Sequence, residues 1–350
     1  MTAHRPVPPV SERRPRAVRL GGWSLRLAPR ALLVGVLLVL TAFAVAVLAI
    51  STGEFTVPVP DVLAALLGDG PPVAELIVNK LRAPRVLTGL LVGAAFGLSG
   101  AIFQSLTRNP LGSPDFIGFS AGASTGGILV VVAGGSAAQI AVGSMTGCVV
   151  TAVLVYLAAF RRGVQGYRLV LVGIGANALL ISANNYLLTR ANINDAATAG
   201  AWLTGSLGGR DWSYVLPLTV ALAVLLPACA YVSRPLRMIE MGDDSARAMG
   251  IRVEAVRAVA IVAGVLLCGV ATAAAGPVAF VALAAPQLAR RLTRSPGVTM
   301  ASSALVGAVL LTAADLAAQR VIAPAQLPVG VLTAAIGGTY LALLLRKDRH

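Results

Sequence analysis

The stretch ALLVGVLLVLTAFAVAVLAI, residues 31–50, decides the fold class. It carries no charge and no proline, and it matches the roughly 20 residues that an α-helix needs to cross a hydrocarbon core. It is also longer than the apolar centre of a typical secretion signal, so the sequence predicts a retained first membrane helix. Further apolar runs follow at 86–106, 116–133, 137–160, 169–188, 213–232, 255–275, 278–289, 302–318 and 327–345. Together they predict an all-α integral membrane protein of about ten spans. The least certain boundary lies in the short segment broken by Pro286.

Composition agrees. The 350 residues are 57% hydrophobic and only 12% charged, with a mean hydropathy of +0.83. A soluble domain is nearer 45–50% apolar and about 25% charged. The net charge of +14 would suggest a nucleic-acid partner in a soluble chain. Here the arginines cluster at the ends of apolar runs, with no aromatic-basic platform, so no nucleic acid is expected. Placing both termini in the cytoplasm puts 22 of the 28 Lys and Arg residues inside. The six outside are Lys80, Arg82, Arg85, Arg190, Arg210 and Arg320. Such a bias is what orients helices in a bilayer.

Residues 1–30 read as a disordered, Arg- and Pro-rich cytoplasmic tail, and residues 31–346 as the membrane domain. Gly89, Gly93 and Gly97, and Gly118, Gly122 and Gly126, recur every fourth residue and predict close helix crossings. A cytoplasmic segment, 233–257, mixes charge with Met238, Met241 and Met249. It predicts a short helix over 244–249, capped at Gly250, and a surface for a partner.

The chemistry that is missing narrows the function. Neither Lys80 nor Lys347 follows the glycines of a phosphate-binding loop, so the chain shows no ATPase site. Asp315 is the one acid clearly within a span, which leaves no obvious ion relay. Gly118-Phe119-Ser120-Ala121-Gly122 has the G-x-S-x-G form of a hydrolase nucleophile, and an intramembrane serine protease is the alternative from another class. It lacks a base, because the only histidines are His4 and His350. Cys148, Cys229 and Cys268 lie in apolar runs and read as buried small residues, so neither metal nor cofactor is expected. The polar residues of the spans, mostly uncharged, bond between helices or line a weakly polar passage. Gln104, Asn109, Ser120, Asn177 and Asn184 are the candidate lining.

Four motifs in order resemble one family over residues 31–345. RAPR at 82–85, followed by GLLVGAAFGLSGAIFQSLTRNPLGSPDFIGFSAGAS, is similar to the N-terminal signature of the FecCD iron-chelate and cobalamin permeases. AWLTGSL at 201–207 resembles their central element and MGDDSARAMGI their cytoplasmic loop. GPVAFVALAAPQLARRLT, SALVGAVLLTAADLAAQR and LPVGVLTAAIGG resemble their C-terminal signature.

The resemblance implies a type II ABC importer permease that pairs with a second permease, two ATP-binding subunits and an extracytoplasmic substrate-binding protein, and carries a ferric siderophore through membrane lipid. It implies docking of the binding protein at Arg82, Arg85 and Arg320. It implies coupling to the ATPase through Met238, Glu240, Gly242, Asp243, Asp244, Arg247, Met249 and Gly250. Cobalamin or haem is the alternative cargo. The sequence departs from the family at Gln287, where a histidine is usual, at Gln326, where a glutamate is usual, and at Met249, where a leucine is usual. Pro286-Gln287 followed by ARRLTRSPG is most similar to the catecholate, enterobactin-type permeases.

Overall fold

The computed structural model describes residues 16–20, 23–27, 29–53, 55–160, 166–322 and 326–347. Each of the ten apolar runs is occupied by a helix. These are α1 (Pro29–Ser51), α4 (Ala83–Thr107), α5 (Phe119–Val132), α6 (Ala137–Ala159), α7 (Gly166–Arg190), α9 (Trp212–Glu240), α11 (Val253–Ala275), α12 (Val281–Thr293), α13 (Met300–Ala318) and α14 (Val329–Lys347). Among the described residues, seven helices are long and apolar enough to cross a membrane. The chain is a multi-pass membrane protein.

Four shorter helices decorate the frame. The outer segment folds as α2 (Val59–Leu67) and α3 (Pro72–Glu75), then a π-helical turn, Leu76–Arg82, that runs straight into α4. Val57, Val62, Ala65, Ala74 and Val78 give this segment its own small core. Helix α8 (Ile193–Leu203) was not expected, because its eleven residues are too few to stand out as a span. On the cytoplasmic side, α10 (Asp243–Ala248) falls one residue from its predicted place.

The reading of residues 1–30 as disordered needs correction over part of its length. Strands β1 (Arg16–Leu20) and β2 (Trp23–Leu27) pair antiparallel, Arg16 opposite Leu27 and Leu20 opposite Trp23. Val18, Leu20, Trp23, Leu25 and Leu27 alternate with polar residues, a period-2 pattern that a count of arginines and prolines conceals. Residues 1–15, like Arg161 and Arg162, lie outside the described residues.

The core is centred on α4, whose apolar window is 78% buried, against 11% for α1 and α7. Small residues make that burial possible. A methyl group at Gly93 would collide with the backbone of Gly307 on α13, and one at Gly97 with the backbone of Ser303. Gly126 meets Gly143 in the same way, and Gly147 meets Gly122, where α5 crosses α6. With no apolar driving force between helices in lipid, such backbone-to-backbone packing holds the bundle together. Gly118 departs from the predicted ridge: it is the left-handed N-cap of α5, at φ 91°.

Candidate functional site

Three places on the frame gather the polar side chains: the outer rim, the cytoplasmic helix and a cavity between them.

At the outer rim the three arginines have different fates. Arg85 is held inward. Its Nε and Nη2 donate to the two carboxylate oxygens of Asp315 at 2.8 and 2.9 Å, and its Nη1 donates to Gln326 Oε1 at 2.9 Å. Gln319 Nε2 completes the group by donating to Asp315 Oδ2 at 2.8 Å. The Arg85 and Asp315 side chains are 14% and 5% exposed, so the pair is a strut joining α4 to α13. Arg82 is half-buried and ties the last turn of α1 to the chain just after it, donating to the carbonyls of Ile50 at 2.7 Å and Phe55 at 2.5 Å. Arg320 is exposed just beyond α13. Asp315 takes Arg85, 230 positions away, as its partner.

On the cytoplasmic side, α10 is fixed at both ends. Gly242, at φ 126°, and Gly250, at φ 83°, take backbone conformations that a side chain would strain. Gly250 N–H donates to Arg247 O at 2.9 Å and Ile251 N–H to Ala246 O at 3.1 Å, the paired bonds of a Schellman stop. Asp243 points back into the bundle. Arg257 Nη2, on α11, donates to both of its oxygens at 2.8 Å, and Arg108, at the end of α4, donates to Oδ1. Burial pushes the Asp243 carboxyl up, but the bonds and charges of Arg257 and Arg108 outweigh it and hold the group below the usual aspartate range. Arg257, read from sequence as one more cytoplasmic arginine, is thus a buried brace.

Among the described residues, nothing covers the outward side of α10. Met241 and Met249 are 65% and 50% exposed. Asp244 and Arg247 form an exposed pair at 3.0 Å. Met238 packs against the core, and Glu240 lies against Gly297 of the loop after α12.

The cavity, of about 420 Å³, opens between α5, α7 and α12. Of the five candidate lining residues, Ser120, Asn177 and Asn184 reach it, joined by Asp115, Ser124 and Asn185. Gln104 and Asn109 do not. Gln104 is buried and donates to Leu283 O at 2.9 Å, and Asn109 Oδ1 accepts from Leu111 N–H at 2.9 Å in the loop after α4. Gln287, in the place of the usual histidine, ties α12 to that loop by donating to Pro110 O at 2.6 Å. Asp115 was missed because it precedes its apolar run and so counted as loop. Its Oδ1 accepts from Ser120 Oγ at 2.5 Å, while Oδ2 is shut away without a partner. The hydroxyl of the G-x-S-x-G motif is therefore turned onto a carboxylate. The cavity lining contains no histidine or lysine to act as its base.

The comparisons with known proteins meet this geometry. The FecCD transport family matches residues 27–347, nearly the whole membrane frame. The chain belongs to the FecCD family. Among FecCD proteins it is 45% identical to the ferric enterobactin transport system permease protein FepG of Escherichia coli, over 91% of this chain and 97% of that one. It is 36% identical to the achromobactin transport system permease protein CbrC of Dickeya dadantii, over 90% and 91% of the two chains. A solved metal-chelate-type ABC transporter in an inward-facing conformation superposes with a TM-score of 0.78 at 25% identity, covering 91% of this chain and 99% of that one.

Proposed function

We propose that this FecCD protein is the permease subunit of an ATP-driven importer for ferric siderophores, with a catecholate chelate as the cargo. It works with a second permease, two ATP-binding subunits and an extracytoplasmic binding protein. The observation that carries the reading is the construction of α10. Its outward face offers adaptable methionines and an exposed ion pair to a partner, while Asp243 bolts it to α4 and α11. A helix built so passes a push from a separate motor to the bundle as a rigid body.

The outer rim supports the same reading. Arg320 is an exposed cation there, and a charge at a rim steers and orients a docking partner more than it tightens it. Arg82 and Arg85 support the docking surface from below. The cavity, with mostly apolar walls that carry a few amides, hydroxyls and the Asp115 carboxyl, suits a bulky chelate that must pass without being held.

The test is reconstitution of the assembled importer in vesicles, with uptake of iron-labelled catecholate chelate followed with and without ATP. ATP-dependent uptake is expected. Pumping of solute or cleavage of peptide by this chain without an ATP-hydrolysing subunit would overturn the proposal.

A further inference from the structure

Helices α6 and α9 both pack on α11, and at their outer-rim ends the three leave a second cleft, of about 320 Å³. Ala138 and Ala141 of α6, Pro217 and Leu218 of α9, and Val270 and Ala274 of α11 give it apolar walls. The neighbouring turns of α6 and α9 expose Val142, Leu216 and Val220. In a membrane-spanning bundle a trough set in such a surface faces acyl chains.

One end of this trough is polar. Ser213 and Tyr214, in the first turn of α9, complete its lining. The guanidinium of Arg210 lies 4.5 Å from the centroid of the Tyr214 ring, a stack that fixes the cation beside the cleft. Its Nε is shut away without an acceptor, and among the described residues the group donates no hydrogen bond. Two acceptors stand next to it. Asp211 caps α9, its Oδ1 accepting from Ser213 N–H at 2.9 Å, while its Oδ2 has no donor among the described residues. Pro217 has no N–H, so the Ser213 carbonyl lacks the donor that a helix would supply four residues on. Trp212 Nε1 donates to Asn79 O at 2.7 Å and ties this turn to the outer segment. Trp and Tyr together are the side chains that gather at the head-group level of a bilayer.

We propose that this cleft is a phospholipid site whose occupant carries an ethanolamine head: an acyl chain lies between α6 and α9, the phosphate meets Arg210, and the ammonium meets Asp211 and the Ser213 carbonyl. The apolar trough by itself accepts any acyl chain. The charges beside it choose the head. Arg210 offers a planar fork of donors to phosphate oxygens. Asp211, its neighbour in the chain, puts a carboxylate next to that cation, so the site matches a head group that itself carries both signs. A glycerol head has the phosphate without the ammonium, and so meets Asp211 with like charge alone. The seated lipid fills the gap between α6 and α9 above α11.

The experiment uses the assembled importer in detergent, given equal amounts of phosphatidylethanolamine and phosphatidylglycerol and read by native mass spectrometry. The ethanolamine lipid should stay bound under activation that strips the glycerol lipid. Arg210→Ala removes a charge-assisted hydrogen bond and should weaken retention about tenfold or more. Ala138→Trp should fill the trough and exclude the lipid; Ala138 is exposed, so the variant should keep the parent's size-exclusion profile. Asp211→Asn keeps the helix cap but removes the charge, so the preference for ethanolamine over glycerol should shrink about twofold to fivefold. Equal retention of the two lipids by the parent, or retention that neither Arg210→Ala nor Ala138→Trp lowers, means annular lipid only and overturns the proposal. A parent that holds no lipid because another subunit covers the cleft overturns it as well.

Discussion

Replacing Asp243 by Asn should disconnect the cytoplasmic helix from the bundle without touching its outward face. The substitution removes two ion pairs of different worth. The Arg108 side chain is 40% exposed, so its pair contributes at most about 1 kcal/mol. Arg257 is 9% exposed and would keep only a long contact to Glu254, at 3.4 Å. Stripping the partner from a buried cation costs about 3–5 kcal/mol; with Asp243 itself 28% exposed, about 2–3 kcal/mol is the fitting figure. Limited proteolysis across residues 240–252 should therefore speed up by roughly thirtyfold or more if local opening exposes the site. In the assembled importer, ATP hydrolysis should continue while solute moved per ATP drops severalfold. If Asp243→Asn kept the parent's proteolytic rate and its coupling ratio, the strut would have no mechanical role.

Other consequences are measurable. The depressed pKa of Asp243 means that its pairs are intact above the ordinary aspartate value, near 4, and are lost only as pH falls through the lower folded value; a coupling ratio that collapsed between pH 7 and pH 5 would contradict this assignment. Arg320→Glu should slow capture of the loaded binding protein, more at low salt than at high, whereas Arg85→Glu should instead reduce the melting temperature, because it sets a second acid against buried Asp315. Glu240→Ala and Gly242→Ala should each lower transport per ATP hydrolysed while the protein still inserts; unchanged transport by both would remove that segment from the coupling path. Gly93→Val should prevent α4 from seating on α13 and abolish recovery of folded protein from membranes, as judged by size-exclusion profile.

The spans were legible because length and hydropathy act locally: every apolar run became a helix. Helix α10 was legible because a glycine stop is written in a few adjacent residues. What escaped detection depends on distance in the chain. Asp315 pairs with Arg85, 230 positions away, rather than with nearby Arg320. Arg257 and Asp115 each sat at the edge of a hydrophobic run, where a charge looks solvated; only the fold shows that one is buried and the other faces a chamber. Gln104 donates across to Leu283, since a lone amide in a span can cross-link helices as readily as line a channel.

The glycine contacts also say where this protein can bend. Where α4 lies on α13 at Gly93 and Gly307, and α5 on α6 at Gly126 and Gly143, main chain comes against main chain, so one helix cannot slip past the other there without backbone collision. Those pairs must travel as fixed slabs. Helix α7 leaves most of its length uncovered by the rest of the chain, and its main-chain contacts gather at Gly166, Gly173 and Asn177, in its first half.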